Sequence, residues 1–300
     1  MTDLISYYRE KLNLYDATFS LIEHDDGVVA IVYKVSLPTI ELILKICARP
    51  EEYLREVYFL NYFADKLPVP RIVNLVPPEG TAKGAVLMEC LPGSILKMAD
   101  LTESLANEMG TLLARIHTYR VAGYGDLTRP DALSNDPQTV FTMKFEEGLK
   151  ECGRHLPKEL IEQCQLYFDQ HAYLLDSVDG PCILHRDFRP GNVIVDKGKL
   201  QGIIDWASSR AGFAEEDFCP MEHDGWPNDP KIKQAFLDGY SSIRPLPGYE
   251  AMMPLLRVSR AVASIGFVFK TGTWQTRTAA FYQFNRRFLE TFLRDFLCRY

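Results

Sequence analysis

The sequence predicts an α+β protein: a small antiparallel sheet with one main helix over residues 1–91, and a larger, mainly α-helical part over 92–300. Three observations carry this expectation. Runs rich in β-branched residues fill 16–47, long helical periods take over after Leu91-Pro92-Gly93, and one short strand pair interrupts those helices. With 300 residues, 47% hydrophobic and 12% aromatic, the chain is long enough to bury a large core as one big domain or two lobes.

In chain order, "TFSLIEHDDGVVAIVYKV" and "IELILKICA" read as strands, with Asp25-Asp26-Gly27 turning the chain between the first two runs. "PEEYLREVYFLNYFADKLPVP" reads as a helix. Leu54, Val57, Leu60 and Ala64 recur at helical spacing beside Tyr53, Phe59 and Phe63, and Pro-Val-Pro stops it. "PRIVNLV" and "GAVLMEC" supply two more strands, and helices are expected over 101–119, 159–176, 231–241, 250–269 and 277–298. Among them sit "NVIV" and "LQGIID", joined by "DKGK".

Composition excludes several classes. A net charge of −7 and a pI near 5.5 oppose a nucleic-acid partner, which needs a basic face to neutralise phosphates. The same acidity suits a cationic small molecule. Cys47, Cys90, Cys152, Cys164, Cys182, Cys219 and Cys298 form no CxxC pair and are odd in number, which points to reduced thiols, not zinc or a disulfide framework. The first residues lack the basic-then-apolar order of a secretory signal, so a cytoplasmic location is expected. The apolar run "AVASIGFVF" (261–269) is about half a membrane span, so no membrane partner is expected. Nothing here fixes the oligomeric state.

"HRDFRPGN" (185–192) concentrates polar groups just before an apolar strand. With a hairpin of 192–195 and 200–204 closed by Asp196–Lys199, Val195 faces Leu200, Asn192 faces Ile203, and Asp205 lies two positions beyond on the same open end. Strand rise then brings Asn192 and Asp205 within about 7 Å, a spacing that lets two oxygens share a metal. Mg²⁺ fits such a pair, because it takes few protein ligands and completes its shell with water and phosphate oxygens. Asp187 on the same loop is free to act as a base. Taken alone, it is an ordinary turn residue.

HRDxxxxN followed by an Asp on the next strand resembles the catalytic loop and metal site of the protein-kinase-like superfamily. "LHRDFRPGNVIV…GIIDWASSRAG" is more closely similar to the aminoglycoside phosphotransferase and choline kinase branch. The resemblance extends through "LILKICA", "REVYFLNYF", "VPVPRIV" and "AVLMECLPG", covering roughly residues 20 to 220 in order. It implies a bilobal kinase-like fold, with a nucleotide-binding lobe over 1–91 and a catalytic and substrate-binding lobe over 92–300. It also implies ATP, or GTP in its place, with Mg²⁺. Asp187 would accept or orient the proton of a substrate hydroxyl, Asn192 and Asp205 would hold Mg²⁺, His185 would brace the loop, and Arg189 would meet the transferring phosphoryl group.

In "LILKICA", Ile43, Lys45 and Cys47 share one face of a strand, and Leu42, Leu44 and Ile46 the other. Lys45 needs an anion there, unless it lies on an edge and points to water. Nucleotide phosphates supply one, and Glu56 on the next helix supplies an orienting partner, as the resemblance implies. The turn "HDDGVVA" would cover the nucleotide, with Gly27 allowing backbone approach. GxGxxG and GxxxxGK[ST] are both absent. At the hinge, Glu89 and Leu91 would offer backbone carbonyl and N–H to the purine, with Met88 lining the pocket; "AVLMEC" reads equally as a buried strand.

Two departures shape the substrate reading. Arg186 stands where the small-molecule branch commonly has glycine, and Asp205 is followed by Trp206-Ala207 without an APE-like anchor, which favours a small hydroxylated acceptor over a protein. Between Ala211 and Pro230 lie Glu215, Glu216, Asp217, Glu222, Asp224 and Asp229 with no Lys or Arg. This segment either attracts an amine-bearing substrate or is a solvated loop in which Asp217 caps a helix. Trp226 and Phe218 suggest part of an aromatic cage, or core residues. The expected activity is ATP-dependent phosphorylation of a small amine-containing alcohol, such as an aminoglycoside-like antibiotic. Its alternatives are a choline- or homoserine-type metabolite kinase and a kinase-like nucleotide-binding protein without catalysis.

Overall fold

The computed structural model describes residues 2–23, 30–153 and 155–297. The turn carrying Gly27 lies outside the described residues. The chain opens with α1 (Thr2–Lys11), then β1 (Thr18–Leu21), β2 (Ile31–Ser36), β3 (Glu41–Ile46), α2 (Pro50–Phe63), β4 (Ile72–Val76) and β5 (Ala85–Glu89). The strands form one antiparallel sheet in the order β1-β2-β3-β5-β4, which makes β3 its central strand. Alternation does the sorting. Leu42, Leu44 and Ile46 join Tyr33, Val35 and Leu87 in a core closed by Tyr8 of α1 and by Leu12 just past its end, while Lys45 projects from the other face. α2 starts at Pro50, and Glu52 accepts hydrogen bonds from the Arg49 backbone N–H (3.2 Å) and guanidinium (2.8 and 2.6 Å).

There follow β6 (Ser94–Ile95), α3 (Glu103–His117), α4 (Pro137–Cys152), α5 (Lys158–His171), β7 (Cys182–Leu184), β8 (Val193–Asp196), β9 (Lys199–Ile203) and β10 (Arg210–Gly212). The last helices are α6 (Cys219–Asp224), α7 (Pro230–Ser241), α8 (Tyr249–Lys270) and α9 (Ala279–Leu297). The expected α+β architecture is present. The sequence reading omits α1, α4 and α6.

The β8–β9 hairpin turns through Lys197 (φ 49°) and Gly198 (φ 74°), the two left-handed positions that suit right-twisted strands. Val195 faces Leu200 as expected, but Val193, not Asn192, faces Ile203. A bulge between Ile194 and Val195 causes the shift. Gly202 marks the irregularity: a Cβ there would lie 2.6 Å from Leu91 Cδ1 and 2.7 Å from the Pro68 carbonyl oxygen. Asn192 instead ends a 3₁₀ turn, Pro190–Asn192.

Packing groups the chain into two compact units. Unit 1 is Met1–Ala114, His185–Arg210 and Pro227–Ile243; unit 2 is Arg115–Leu184, Ala211–Trp226 and Arg244–Tyr300. The expected division at 91/92 follows secondary-structure content, whereas packing adds three later stretches to the N-terminal sheet. Within unit 1, α3 and α7 cross where glycines meet. A Cβ on Gly110 would lie 1.9 Å from the Phe236 carbonyl oxygen, and one on Gly239 would lie 2.1 Å from that of Asn107. Gly239→Ala should therefore force the helices apart and cost about 1–3 kcal/mol, read as a lower urea midpoint.

Within unit 2, Asp136 caps α4 by accepting from Gln138 N and Thr139 N (3.1 Å each), and Phe145 stacks on Phe168 of α5 at 4.3 Å. The apolar run at 261–269 belongs to α8, which at 22 residues is long and apolar enough to cross a membrane by length and composition. In the structure, its Leu255, Val258, Ala261, Val262 and Ile265 are buried, and the helix packs against α4 and α9.

Candidate active site

The segment after β7 forms a loop held by its own polar groups. The Asp187 carboxylate accepts hydrogen bonds from Asn192 Nδ2 (2.8 Å) and Arg189 Nε (3.1 Å), and Asn192 Nδ2 also reaches the Asp187 carbonyl (2.7 Å). The buried His185 ring donates through Nε2 to the Ile204 carbonyl (3.0 Å), while the Ile204 N–H donates to the Asn192 carbonyl (2.9 Å). Ile204 thus ties the loop at both ends to the residue before Asp205. These backbone bonds, not the strand register, bring Asn192 and Asp205 onto neighbouring chain segments. Arg186 adopts φ 68°, a left-handed conformation in which glycine carries no Cβ penalty, so this is where a glycine is most easily accommodated.

Lys45 sits between two carboxylates. Its Nζ lies 2.7 Å from Glu56 Oε2 and 2.7 Å from Asp205 Oδ1. Its position on a central strand removes the edge-strand reading. The Lys45 and Glu56 side chains are 9% and 2% exposed, whereas Asp205 is 48% exposed. Burial works against the Lys45 charge, yet Asp205 and Glu56 raise its pKa above the usual lysine range. Burial also raises the Glu56 pKa, with Lys45 opposing. For Asp205, burial is outweighed by Lys45, helped by His185 and Arg189, so its carboxyl titrates below the ordinary range.

Trp206, to which the sequence alone assigns no role, links these groups. Its backbone N–H bonds Glu56, and its buried indole packs on Phe59 (5.9 Å) and Phe63 (4.9 Å) of α2 and meets the His185 ring edge-on at 4.7 Å. One side chain therefore touches both the helix that carries Glu56 and the loop that carries Asp187. The signal on α2 was readable, since Glu56, Phe59, Leu60 and Phe63 follow at helical steps.

At the proposed hinge, Met88 is buried in β5 opposite Ile43, on the face of Lys45. The Glu89 N–H donates to the Arg71 carbonyl (2.9 Å), so a ligand bond at Glu89 falls to its carbonyl. The Leu91 side chain packs over Gly202. Asn192 and Asp205 are an all-oxygen donor pair, and no group of three His, Cys, Asp or Glu that could hold a metal occurs among the described residues. That donor set fits Mg²⁺, which draws its remaining ligands from water and phosphate, and does not fit zinc.

Several carboxylates of the acidic segment are used internally, contrary to the expectation of a solvated loop in which Asp217 caps a helix. Glu215 accepts from the Asp179 N–H (3.1 Å), the buried Asp217 pairs with His117 at 3.2 Å, and Asp224 pairs with Arg260 at 3.2 Å. The carboxylate that caps a helix is Asp229, on α7. Phe218 is buried and stacked on Tyr249 at 4.4 Å, so it has no face left for a cage.

Comparison with known proteins bears on the family and the fold. Curated relatives include a homoserine kinase of Rhizobium etli (strain CIAT 652), 32% identical over 219 residues, which cover 70% of this chain and 64% of that protein. A homoserine kinase of Gluconobacter oxydans (strain 621H) is 28% identical, over 59% of this chain and 56% of its own. The chain thus spans about two thirds or less of the relatives it matches. Among solved structures, aminoglycoside phosphotransferase APH(4)-Ia superposes with a TM-score of 0.71 at 13% identity, covering 98% of both chains. Spectinomycin phosphotransferase APH(9)-Ia, in complex with ADP and spectinomycin, gives 0.63 at 15% identity, covering 96% of this chain and 97% of its own. These likenesses establish the fold. The model of the phosphotransferase enzyme family matches residues 20–255, and the chain belongs to that family.

Proposed function

We propose that this protein is an ATP- and Mg²⁺-dependent phosphotransferase that moves the γ-phosphoryl group to a hydroxyl of a small, amine-bearing molecule. The observation that carries the reading is Lys45, buried on a central strand and held at 2.7 Å from both Glu56 and Asp205. A buried lysine fixed by a helix carboxylate is suited to meet nucleotide phosphates when they arrive. Residues 1–91 would hold the nucleotide, with the Glu89 carbonyl and Leu91 N–H on the purine edge and Met88 beneath it. Residues 92–300 would carry the catalytic loop and the acceptor.

In the proposed reaction, the bond between the γ-phosphorus and the β–γ bridging oxygen breaks, leaving ADP. The acceptor oxygen forms the new bond to phosphorus, and its proton passes to the Asp187 carboxylate. Arg189, already on Asp187, would turn its fixed charge to the phosphoryl oxygens. Asn192 and Asp205 would hold Mg²⁺, which would supply positive charge against the charge that develops on the phosphates. His185 and Trp206 would keep the loop, the metal-site strand end and α2 in register. Most of the rate gain would come from alignment and charge neutralisation.

The homoserine kinases among the relatives favour an amino alcohol as acceptor; the aminoglycoside phosphotransferase fold keeps aminoglycosides in view. The six cysteines of the described residues are free thiols, which suits the cytoplasm. The test is ADP release from ATP or GTP with Mg²⁺ against homoserine, choline, aminoglycosides and sugars, beside thermal melting with nucleotide. Turnover with one acceptor class supports the reading. Nucleotide stabilisation without turnover across the panel favours the non-catalytic alternative.

A further inference from the structure

The second unit contains a cation that lacks a counter-charge. Arg257 projects from α8 with its guanidinium 4.6 Å from the ring centre of Phe288 on α9. Its Nε is enclosed without a hydrogen-bond partner, and no carboxylate lies within ion-pair distance of it among the described residues. Its neighbour Arg260 differs, being paired with Asp224 at 3.2 Å. Beside them the buried His223 ring meets the edges of Phe288 (4.9 Å) and Phe284 (5.2 Å) and donates through Nε2 to Asn285 Oδ1 at 2.9 Å. Burial, with the charges of Arg260 and Arg257, pushes His223 down to about 4, so the ring is neutral at physiological pH and its enclosed Nδ1 is an acceptor without a partner. The charges acting on His223 are two guanidiniums against one carboxylate.

A half-buried guanidinium without an anion is costly unless something pairs with it. Arg257 itself offers one unpaired positive charge, which matches a carboxylate; a dianionic phosphate would also meet Asp224, and Glu216 acts on the same neighbourhood. Phe284, 44% exposed, offers an apolar ledge beside this charge. His223 Nδ1 asks for an N–H or O–H donor. We propose that Arg257, His223, Phe284 and Phe288 form a binding site, contained in unit 2, for a small carboxylate that also bears a hydrogen-bond donor, such as an amino acid or hydroxy acid.

That chemistry has two sources. The ligand is either the acceptor itself, which rests on the transferase reading above, or a separate effector. The first experiment is independent of catalysis: calorimetric titration of L-homoserine, 4-hydroxybutyrate and 3-aminopropan-1-ol into the full chain and into Arg257→Met. Both carboxylates should bind the wild type and weaken about 10- to 100-fold in the variant, in line with the loss of a charge-assisted hydrogen-bond pair, and Arg257→Lys should recover part of the loss. The amino alcohol should bind both proteins alike. Absence of carboxylate binding to the wild type, or equal binding to Arg257→Met, overturns the site. If the variant does not fold, the His223 ring resonances of the wild type must shift saturably with 4-hydroxybutyrate, and no shift also overturns it. Steady-state kinetics then separates the sources: a higher KM for homoserine at unchanged kcat marks the acceptor, whereas unchanged KM with lost modulation by 4-hydroxybutyrate marks an effector. Failure of phosphoryl transfer in the wild type would sink the transferase reading and leave the binding result standing.

Discussion

Asp187→Ala should lower phosphoryl transfer by about 10²- to 10⁴-fold while nucleotide binding is retained. The carboxylate that disappears is the acceptor for Asn192 Nδ2 and Arg189 Nε. Asn192 keeps its second bond, to the Asp187 carbonyl at 2.7 Å, and the loop keeps the His185–Ile204 and Ile204–Asn192 bonds. The frame therefore survives, and the loss falls on the chemistry. ADP release and calorimetric titration with ATP and Mg²⁺ measure the two effects separately. A variant that turns over like the wild type would remove Asp187 from the mechanism.

Lys45→Met should have the largest effect on stability, about 3 kcal/mol or more, because it leaves the buried Glu56 without its cation. Asp205, about half exposed (48%), is rehydrated and adds little. Adding Glu56→Gln should recover part of the loss, and the coupling in that double-mutant cycle measures the pair. The pH dependence has a definite sign. Burial raises the Glu56 pKa and Lys45 opposes it, so the variant's Glu56 titrates higher still. A group whose folded pKa is raised contributes stability that is fully present below the unfolded value and fades as pH rises through the folded one. The gap between wild type and variant should thus be smallest below the ordinary value of 4.5 and widen upward from there. Urea unfolding at acid and neutral pH checks this. A constant gap would mean that Glu56 is not the group left stranded.

Much of this arrangement is legible in the sequence, for reasons that differ by element. Lys45 among apolar neighbours leaves two sequence readings, a cation facing an anion or an edge-strand lysine in water, and only the strand order decides between them; the spacing of Asp187, Asn192 and Asp205 points to a loop before a hairpin. The hairpin register slips because Gly202 marks a bulge, and a bulge changes which residues face each other without changing composition. The omitted α1 carries Leu4 and Tyr8 at a four-residue step that Leu12 continues just past its end, and Asp136 precedes Pro137 at the start of α4, so both signals are present in the sequence. The contact of Trp206 with Phe59 and Phe63 crosses more than a hundred residues, and no local pattern reports such a pairing. The carboxylates of 211–230 look like a solvated acidic face in sequence because their partners, such as His117, Asp179 and Arg260, come from distant segments.

The Lys45–Asp205 contact joins residues 160 positions apart, and the unit that houses it also recruits Pro227–Ile243. Protein synthesis runs from the N-terminus, so the β-sheet emerges from the ribosome long before the strand end that answers its lysine. During that interval Glu56 and the aromatic flank of α2 lack Trp206, and apolar surface stays open to chaperones or to aggregation. A fragment ending at residue 91 is therefore expected to be a poor autonomous folder, and a chain released before residue 243 an early target for proteolysis.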